Sequence, residues 1–243
     1  MIDTLIALLF AHVIADFVFQ SNDMVKQKRE VLPFLLHGAI VFLTLIVATG
    51  SLAWQLAALA LAHMAIDLAK LILAPKDGLW AFLTDQGAHM LTLVGCAVFM
   101  PGLWDGGLWA TTLPAPIPNW ALHVMALGAG GLMATRAGGF AVGKLMQPYA
   151  GAKEDGLADG GRLIGLLERG LIFLMLVAGM PAGIGFLIAA KSVLRFDAAS
   201  DGKKAEYVII GTLASFGWAI AITMAILTLR TGLPPLEIGP LTP

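Results

Sequence analysis

Residues 2–20 read IDTLIALLFAHVIADFVFQ, a stretch that is apolar except for a few polar side chains. A helix needs about 20 mostly apolar residues to cross the hydrocarbon core of a bilayer, so this stretch is long enough to cross it. It has Asp3 where a secretory signal peptide has basic residues, and His12 and Asp16 interrupt its apolar run. We therefore interpret it as a retained transmembrane helix.

Seven further stretches have a similar apolar character. Of the 243 residues, 58% are hydrophobic and 13% are charged, whereas a soluble domain has about 25% charged residues. The sequence therefore predicts an all-α fold, a polytopic transmembrane bundle of about eight helices. The other predicted helices are 31–49, 52–74, 79–101, 119–146, 162–180, 182–196 and 205–230.

The composition also excludes several classes of protein. Fifteen Lys and Arg residues against sixteen Asp and Glu residues leave no basic excess, which disfavours nucleic acid as a partner. The chain has one cysteine, Cys96, which excludes a disulfide scaffold and a zinc site built from cysteines.

Basic residues occur on alternate connections between the predicted helices. Of the fifteen Lys and Arg residues, only Arg230 falls on the side opposite to the others. Because Lys and Arg are enriched in cytoplasmic loops, we expect both termini to face outward. The connections expected in the cytoplasm are 21–30, 75–78, 147–161 and 197–204.

An internal repeat relates the first two predicted helical hairpins. Residues 11–16 read AHVIAD and residues 62–67 read AHMAID, and the next helix of each pair carries His37 or His89. Parallel repeats of this kind occur in transporters. We expect four regions: a repeated hairpin half with a His/Asp layer (1–101), an outer interfacial loop (102–118), a C-terminal helical half with a basic layer (119–230) and a loose tail (231–243).

Histidine and aspartate lie four residues apart three times in the first half, at His12 and Asp16, His63 and Asp67, and Asp85 and His89. This spacing puts each pair on one helix face. Imidazole and carboxylate together suit a divalent metal such as Zn, Mn or Fe. We predict His12, Asp16, His63 and Asp67 as metal ligands, and Asp85, His37 and His89 as catalytic groups that complete the ligation or carry protons.

The second half of the chain offers an excess of basic residues. Arginine and lysine can bind a phosphate or a carboxylate, so this half is predicted to hold an anionic headgroup. Some polar side chains of the first half are expected to contribute to the same binding. The predicted substrate-binding residues are Gln20, Lys70, Gln86, Glu168, Arg169, Lys191 and Arg195.

The chain resembles a family of multi-pass bacterial inner-membrane proteins of unknown function. The resemblance is carried by AHVIADFVFQ at 11–20, by His63 with DLAK at 67–70, and by DQGAH at 85–89. The runs GLLER at 165–169, AKSVLRF at 190–196 and AEYVIIG at 205–211 resemble the C-terminal half of the same family, so the resemblance covers nearly the whole chain. It implies a location in the bacterial inner (plasma) membrane. His63 and Asp67 are also similar to a His-x-x-x-Asp helix of inner-membrane metal-dependent hydrolases, which implies metal ligation there. The Asp-x-Asp-His turn of those hydrolases has no counterpart in this sequence.

Three functions are compatible with these features. The first is a metal-dependent membrane enzyme of the hydrolase type that acts on a phosphorylated or acylated lipid from the cytoplasmic leaflet. The second is a transporter or channel for a metal ion, a proton or a small anion, and the third is a non-catalytic membrane partner protein. Membrane lipid is the expected partner, and the sequence leaves a homo-oligomer open.

Overall fold

The computed structural model describes residues 1–74, 78–152, 159–194 and 202–236. Over these residues the regular secondary structure is helical and no strand is present, so the predicted all-α fold is confirmed. The helices are α1 (Ile2–Ile14), α2 (Asn22–Lys26), α3 (Val31–Thr49), α4 (Trp54–Leu73), α5 (Leu79–Phe99), α6 (Leu108–Thr112), α7 (Ile117–Leu132), α8 (Gly138–Met146), α9 (Gly160–Val177), α10 (Ala182–Leu194) and α11 (Gly202–Arg230).

Short irregular helices extend three of these elements. A five-residue π-helical segment, Ala15–Phe19, continues α1, and another, Met133–Ala137, joins α7 to α8. A 3-10 segment, Gln147–Ala152, follows α8. A π-helical turn holds one extra residue, which turns the side chains that follow it to a different face of the helix.

Four helices of the described residues are both long and apolar enough to cross a membrane: Ile2–Phe19, Val31–Thr49, Trp54–Leu73 and Gly202–Arg230. Helix α5 has 21 residues, but Asp85, Gln86 and His89 lower its hydropathy, and it does not count among the four. Over the described residues, helices also lie in the other stretches that the sequence predicts to be spans, and residues 195–196 of the stretch 182–196 lie outside those residues. The number of eight membrane crossings stays a prediction.

Large apolar side chains lie on the outer surfaces of these helices. On α3, Leu32 is 76% exposed and Val47 is 63% exposed, and on α4 Leu73 is 79% exposed. Apolar patches of this kind are unfavourable in water, and in a bilayer they face lipid. The outer surface therefore agrees with a protein that resides in a membrane.

The chain divides into two compact units. The first contains Met1–Lys76, Ala81–Ala129 and the chain from Thr228 onward, and the second contains Asp77–Trp80 and Gly130–Leu227. The first unit thus includes the segment 102–118 and the first part of α7 together with the repeated hairpins.

The core of the first unit lies near the start of α1. Ile6 and Ala7 are fully buried there and pack with Trp104, Leu122 and Leu233, among others. Leu233 belongs to the stretch 231–243 that the sequence predicts to be a loose tail, and it is 6% exposed. Residues 237–243 of that stretch lie outside the described residues.

The segment 102–118 packs against the ends of α1 and α3. The Thr4 hydroxyl donates to the Pro101 carbonyl at 2.8 Å and accepts from the Trp104 amide at 3.2 Å. The Trp109 indole donates to the carbonyl of Val47 at 2.7 Å. These bonds attach the segment to the end of the first unit where its apolar core lies.

The second unit has its own apolar core, formed by Ile172, Ile184, Phe216 and Ala219. A second contact region lies at the start of α8. A Cβ atom added to Gly138 would lie 2.6 Å from a ring carbon of Trp218 and 2.9 Å from Cδ of Arg169. Glycine is therefore needed at this position to let the two side chains pack against the helix backbone.

Candidate metal centre

The site begins on the first helix, where α1 passes into its π-helical segment. His12 is the last polar residue of α1, and Asp16 is the second residue of the segment. The amide of Gln20 donates to the carbonyl of Ala15 at 3.0 Å, which is the five-residue hydrogen bond of a π-turn. The carboxylate of Asp16 therefore lies within the π-turn, where the helix is locally widened, and its Oδ2 is 3.9 Å from Nδ1 of His12.

Helices α3, α4 and α5 bring the remaining predicted residues of the first half to the same place. His37 comes from α3, His63 and Asp67 from α4, and Asp85 and His89 from α5. The imidazole ring centroids of neighbouring histidines lie 4.1–5.4 Å apart. We call these five residues, together with His12 and Asp16, the His/Asp cluster: His12, Asp16, His37, His63, Asp67, Asp85 and His89.

Four ligand atoms in the cluster converge on one point. Nε2 of His37 lies 3.2 Å from Nε2 of His63. Oδ1 of Asp16 lies 3.5 Å from Nε2 of His37 and 3.4 Å from Nε2 of His63. Oδ2 of Asp67 lies 3.5 Å and 3.6 Å from the same two nitrogen atoms. Five of the six distances among the four atoms thus fall between 3.2 and 3.6 Å.

These distances are close to the spacing between the ligand atoms of a metal site. Zinc lies about 2.0–2.2 Å from nitrogen and oxygen ligands, which puts neighbouring ligand atoms of a tetrahedral site about 3.3–3.6 Å apart. His37, His63 and Asp16 each offer one ligand atom within 4.8 Å of the others. The two imidazole nitrogen atoms are also within hydrogen-bond distance of each other, and each carboxylate oxygen lies beyond the usual N–H···O range of about 2.7–3.2 Å from both of them.

Unpartnered polar atoms support the same conclusion. Among the described residues, seven buried side-chain nitrogen or oxygen atoms have no hydrogen-bond partner. An unsatisfied buried polar group costs about 1–3 kcal/mol, so a group of them at one place indicates a ligand. The atoms are His12 Nδ1, Asp16 Oδ1, Gln20 Nε2, His37 Nδ1, Asp67 Oδ2, Asp85 Oδ1 and His89 Nδ1.

The charges of the cluster also favour a cation. Its three carboxylates face two ammonium groups: Nζ of Lys28 is 2.7 Å from Oδ1 of Asp67, and Nζ of Lys70 is 2.9 Å from Oδ2 of Asp85. With neutral imidazoles, one negative charge is left in a buried environment. A buried charge without a partner is costly, and a bound cation would offset it.

The predicted substrate-binding residues of the first half border the cluster. Oε1 of Gln86 lies 3.4 Å from Nε2 of His12, and Nε2 of Gln86 lies 3.4 Å from Oδ2 of Asp85. Lys70 binds the same carboxylate, and Gln20 has the unpartnered amide nitrogen. Gln86 and Lys70 thus hold the cluster's own side chains in this structure, and whether they also bind a substrate stays a prediction.

The predicted residues of the second half lie in the second unit. Nζ of Lys191 is 2.7 Å from Oε2 of Glu168, and both side chains are largely buried. Arg169, which is 4% exposed, donates to the carbonyl of Thr135 at 3.1 Å and to the hydroxyl of Ser215 at 3.1 Å. These contacts are internal to the unit. Arg195 lies outside the described residues.

Sequence reasoning did not assign one residue of the site. Lys28 lies in the connection 21–30, whose basic residues were interpreted only as an orientation signal. In the structure this lysine is 15% exposed and binds Asp67. The sequence contains no signal for this contact, because nothing in the 21–30 segment indicates which helix its lysines approach.

The fold and the site together define a helical protein with helices able to cross a membrane and with a buried His/Asp cluster. A family model described as "Protein of unknown function (DUF3307)" matches residues 4–105. The matched residues include the whole cluster. The match to a family of unknown function agrees with the resemblance predicted from the sequence. No curated protein and no solved structure matches the chain. The similarity to metal-dependent hydrolases stays a prediction.

Proposed function

We propose that the protein is a membrane-embedded, metal-dependent hydrolase that acts on a phosphorylated or acylated lipid. The observation that carries this proposal is the grouping of Asp16, His37, His63 and Asp67, in which one oxygen of each carboxylate lies 3.4–3.6 Å from both imidazole nitrogen atoms. Mixed nitrogen and oxygen ligands suit Zn, Mn or Fe. The protein would thus carry a divalent metal as its cofactor.

A cavity beside the cluster supports a lipid as the substrate. It has a volume of about 380 Å³, and its charged lining residues are Lys28, Arg29 and Glu30. Lys28 also binds Asp67, so the cavity adjoins the cluster. A mainly apolar lining with two basic residues and one acidic residue suits a lipid with an anionic headgroup. The apolar lining residues are Val31, Phe34, Leu35, Leu68, Leu71 and Ile72.

Asp85 supplies a group that can accept a proton. Its Oδ2 atom binds Lys70 and Gln86, whereas its Oδ1 atom is buried without a hydrogen-bond partner. In hydrolysis, a water oxygen bonds to the phosphorus or the acyl carbon, and the ester bond breaks. Asp85 would take the proton from the water, and the departing ester oxygen would receive it.

The metal would be reached from the predicted cytoplasmic side of the bacterial inner membrane. The 21–30 connection, which we expect in the cytoplasm from its basic residues, supplies Lys28. The outward orientation of both termini is part of this proposal. A membrane location is supported by four helices long and apolar enough to cross a bilayer.

A transporter for a metal ion or a proton is the alternative. It is favoured by the chain of imidazoles in the cluster, with ring centroids 4.1–5.4 Å apart, since such chains occur in proton relays. A transport path would have to continue past the cluster along α1. There Ile6 and Ala7 are fully buried against Trp104 and Leu122, which argues against a polar path.

The proposal is tested with the purified full-length protein in detergent. Metal content is measured by mass spectrometry, and hydrolysis is measured on vesicles that contain phosphatidic acid, phosphatidylglycerol or a fluorescent acyl ester. We expect bound Zn, Mn or Fe and release of phosphate, headgroup or fatty acid. Both should be lost in Asp16→Asn, and Asp67→Asn should bind less metal and lose hydrolysis.

Asp105→Asn is the matched control, because Asp105 is exposed in the segment 102–118 and should leave metal and activity unchanged. A wild-type protein free of metal after purification without chelators would contradict the proposal. Metal or proton flux in proteoliposomes, without hydrolysis of any lipid, would favour the transporter instead.

A further inference from the structure

We propose that the cluster binds a second metal ion, held by His12, Asp16 and His89, and that Asp16 bridges the two ions. This inference rests on the proposed function, because it takes the set of Asp16, His37, His63 and Asp67 as the first metal position. It adds a second position with a coordination site left for water or substrate.

The internal repeat carries the first step. It aligns His12 with His63, Asp16 with Asp67, and His37 with His89. Exchanging each residue of the first metal position for its counterpart gives Asp67, His89, His12 and Asp16. The two copies of the repeat therefore define a second ligand set, which shares both aspartates with the first and replaces both histidines.

The structure brings this second set together. One ligand atom from each of His12, Asp16 and His89 lies within 4.8 Å of the others. Asp16 uses different oxygen atoms toward the two positions: Oδ1 lies 3.4 Å from Nε2 of His63, and Oδ2 lies 3.9 Å from Nδ1 of His12. A carboxylate that turns its two oxygens to two ligand sets is arranged to bridge two metal ions.

The hydrogen bonds of His12 and His89 place the proton of each ring on Nε2, so the Nδ1 lone pair of each ring is available to bind a metal. The carbonyl of His63 can only accept, so Nε2 of His89, at 3.4 Å, carries the proton, and Nδ1 keeps its lone pair. Oε1 of Gln86 accepts from Nε2 of His12 at 3.4 Å in the same way. Both Nδ1 atoms are buried without a partner, and both histidines are 1% exposed.

One corner of the second position remains open. The repeat predicts Asp67 as its fourth ligand, but Oδ1 of Asp67 binds the ammonium of Lys28 at 2.7 Å and Oδ2 faces the first position. The second position therefore has three protein ligands. Three protein ligands and an open corner are typical of catalytic zinc sites. The second position therefore adds to the proposed hydrolase site a metal with room for water or substrate.

The number of bound ions tests this inference. Purified full-length protein is stripped with a chelator and titrated with Mn²⁺, and the ions bound per chain are counted by equilibrium dialysis and mass spectrometry. We expect two ions in the wild type and a spin-coupled electron paramagnetic resonance spectrum, since ions in two-metal sites lie about 3.5–4 Å apart. His12→Gln and His89→Gln should each bind one ion and lose the coupling.

His123→Gln is the matched control, because His123 lies outside the cluster and bonds to the carbonyl of Pro234. It should keep two ions. A wild type that binds one ion, equal to His12→Gln, would overturn the inference and leave the metal site of the proposed function standing. A wild type that binds none would overturn both. The wild-type count does not depend on how well a variant folds.

Discussion

The Nζ atom of Lys28 lies 2.7 Å from Oδ1 of Asp67 and connects the segment between α2 and α3 to the centre of α4. Asp67 also faces the two histidines of the first metal position through its other oxygen. The lysine thus shares a carboxylate with the predicted metal, so the ammonium and the metal ion compete for the negative charge of Asp67.

Replacing Lys28 should therefore affect metal binding and stability in opposite directions. In Lys28→Met, we expect the metal to bind about tenfold more tightly, because a positive charge beside its ligand is removed. The metal-free protein should lose about 1.5–3 kcal/mol of stability, because Asp67 loses a hydrogen bond to a charged donor. Both are measured by metal titration and thermal unfolding in detergent. Lys26→Met is the control, since Lys26 is 76% exposed, and weaker metal binding in Lys28→Met would contradict this account.

Removal of metal should destabilise the wild-type protein. A ligand present at a hundred times its dissociation constant stabilises the folded state by about 2.7 kcal/mol. We expect the melting temperature of the purified protein to fall on chelation and to recover on adding Zn²⁺ or Mn²⁺. The variant Asp16→Asn, which lacks the ligand shared by both metal positions, should melt at one temperature with or without metal. An equal response of this variant and the wild type would show that the metal binds elsewhere.

Two glycines of α8 should respond oppositely to alanine. In Gly138→Ala, the new methyl group would overlap Trp218 and Arg169, and we expect a loss of about 1–3 kcal/mol. No atom lies within 4 Å of a Cβ added to Gly143, so Gly143→Ala should be neutral or should stabilise the helix by up to about 1 kcal/mol. Thermal unfolding of both variants measures the difference. Equal melting temperatures would contradict the described packing of the second unit.

A double-mutant cycle can show whether the ion pair of Glu168 and Lys191 stabilises the fold or binds the substrate headgroup. If the 2.7 Å contact is structural, Glu168→Gln and Lys191→Met should each reduce stability, because each leaves a buried charge unpaired. The double variant should then recover both stability and lipid hydrolysis. If the residues bind the headgroup, the double variant should stay inactive even when its melting temperature is restored. A double-mutant cycle followed by both readouts separates the two cases.

The orientation in the membrane can be tested by labelling. The native Cys96 is the one cysteine of the chain, so Cys96→Ser gives a background free of thiols. We expect a membrane-impermeant maleimide to label Thr112→Cys in intact cells and Lys26→Cys only after permeabilisation, because the basic connection 21–30 should be cytoplasmic. Labelling of Lys26→Cys in intact cells would reverse the predicted orientation.

Much of the helical layout was predictable from the sequence. The apolar stretch 31–49 is the helix Val31–Thr49, and 79–101 is within two residues of Leu79–Phe99. Local hydrophobicity determines these helices, because a helix satisfies its own backbone hydrogen bonds without help from the rest of the chain. The spacing of His63 and Asp67 likewise follows from the helical repeat alone.

The division of the chain into units was less predictable. The sequence predicts an outer interfacial loop over 102–118, and in the structure this segment bonds to Thr4 and Val47 within the first unit. A connection between helices carries no local pattern that identifies the surface it packs on. Side-chain contacts such as Trp109 with Val47 form only when distant parts of the chain have already packed.

The sequence by itself determined that the chain is helical and hydrophobic, and that histidine and aspartate recur on single helix faces at a spacing of four residues. Only the tertiary structure decided which atoms meet: it grouped His37 with Asp16, His63 and Asp67, and it placed Lys28 on Asp67. The physical reason is that spacing within a helix is set by its backbone geometry. Distances between helices depend on packing and on side-chain rotamers, which no single segment determines by itself.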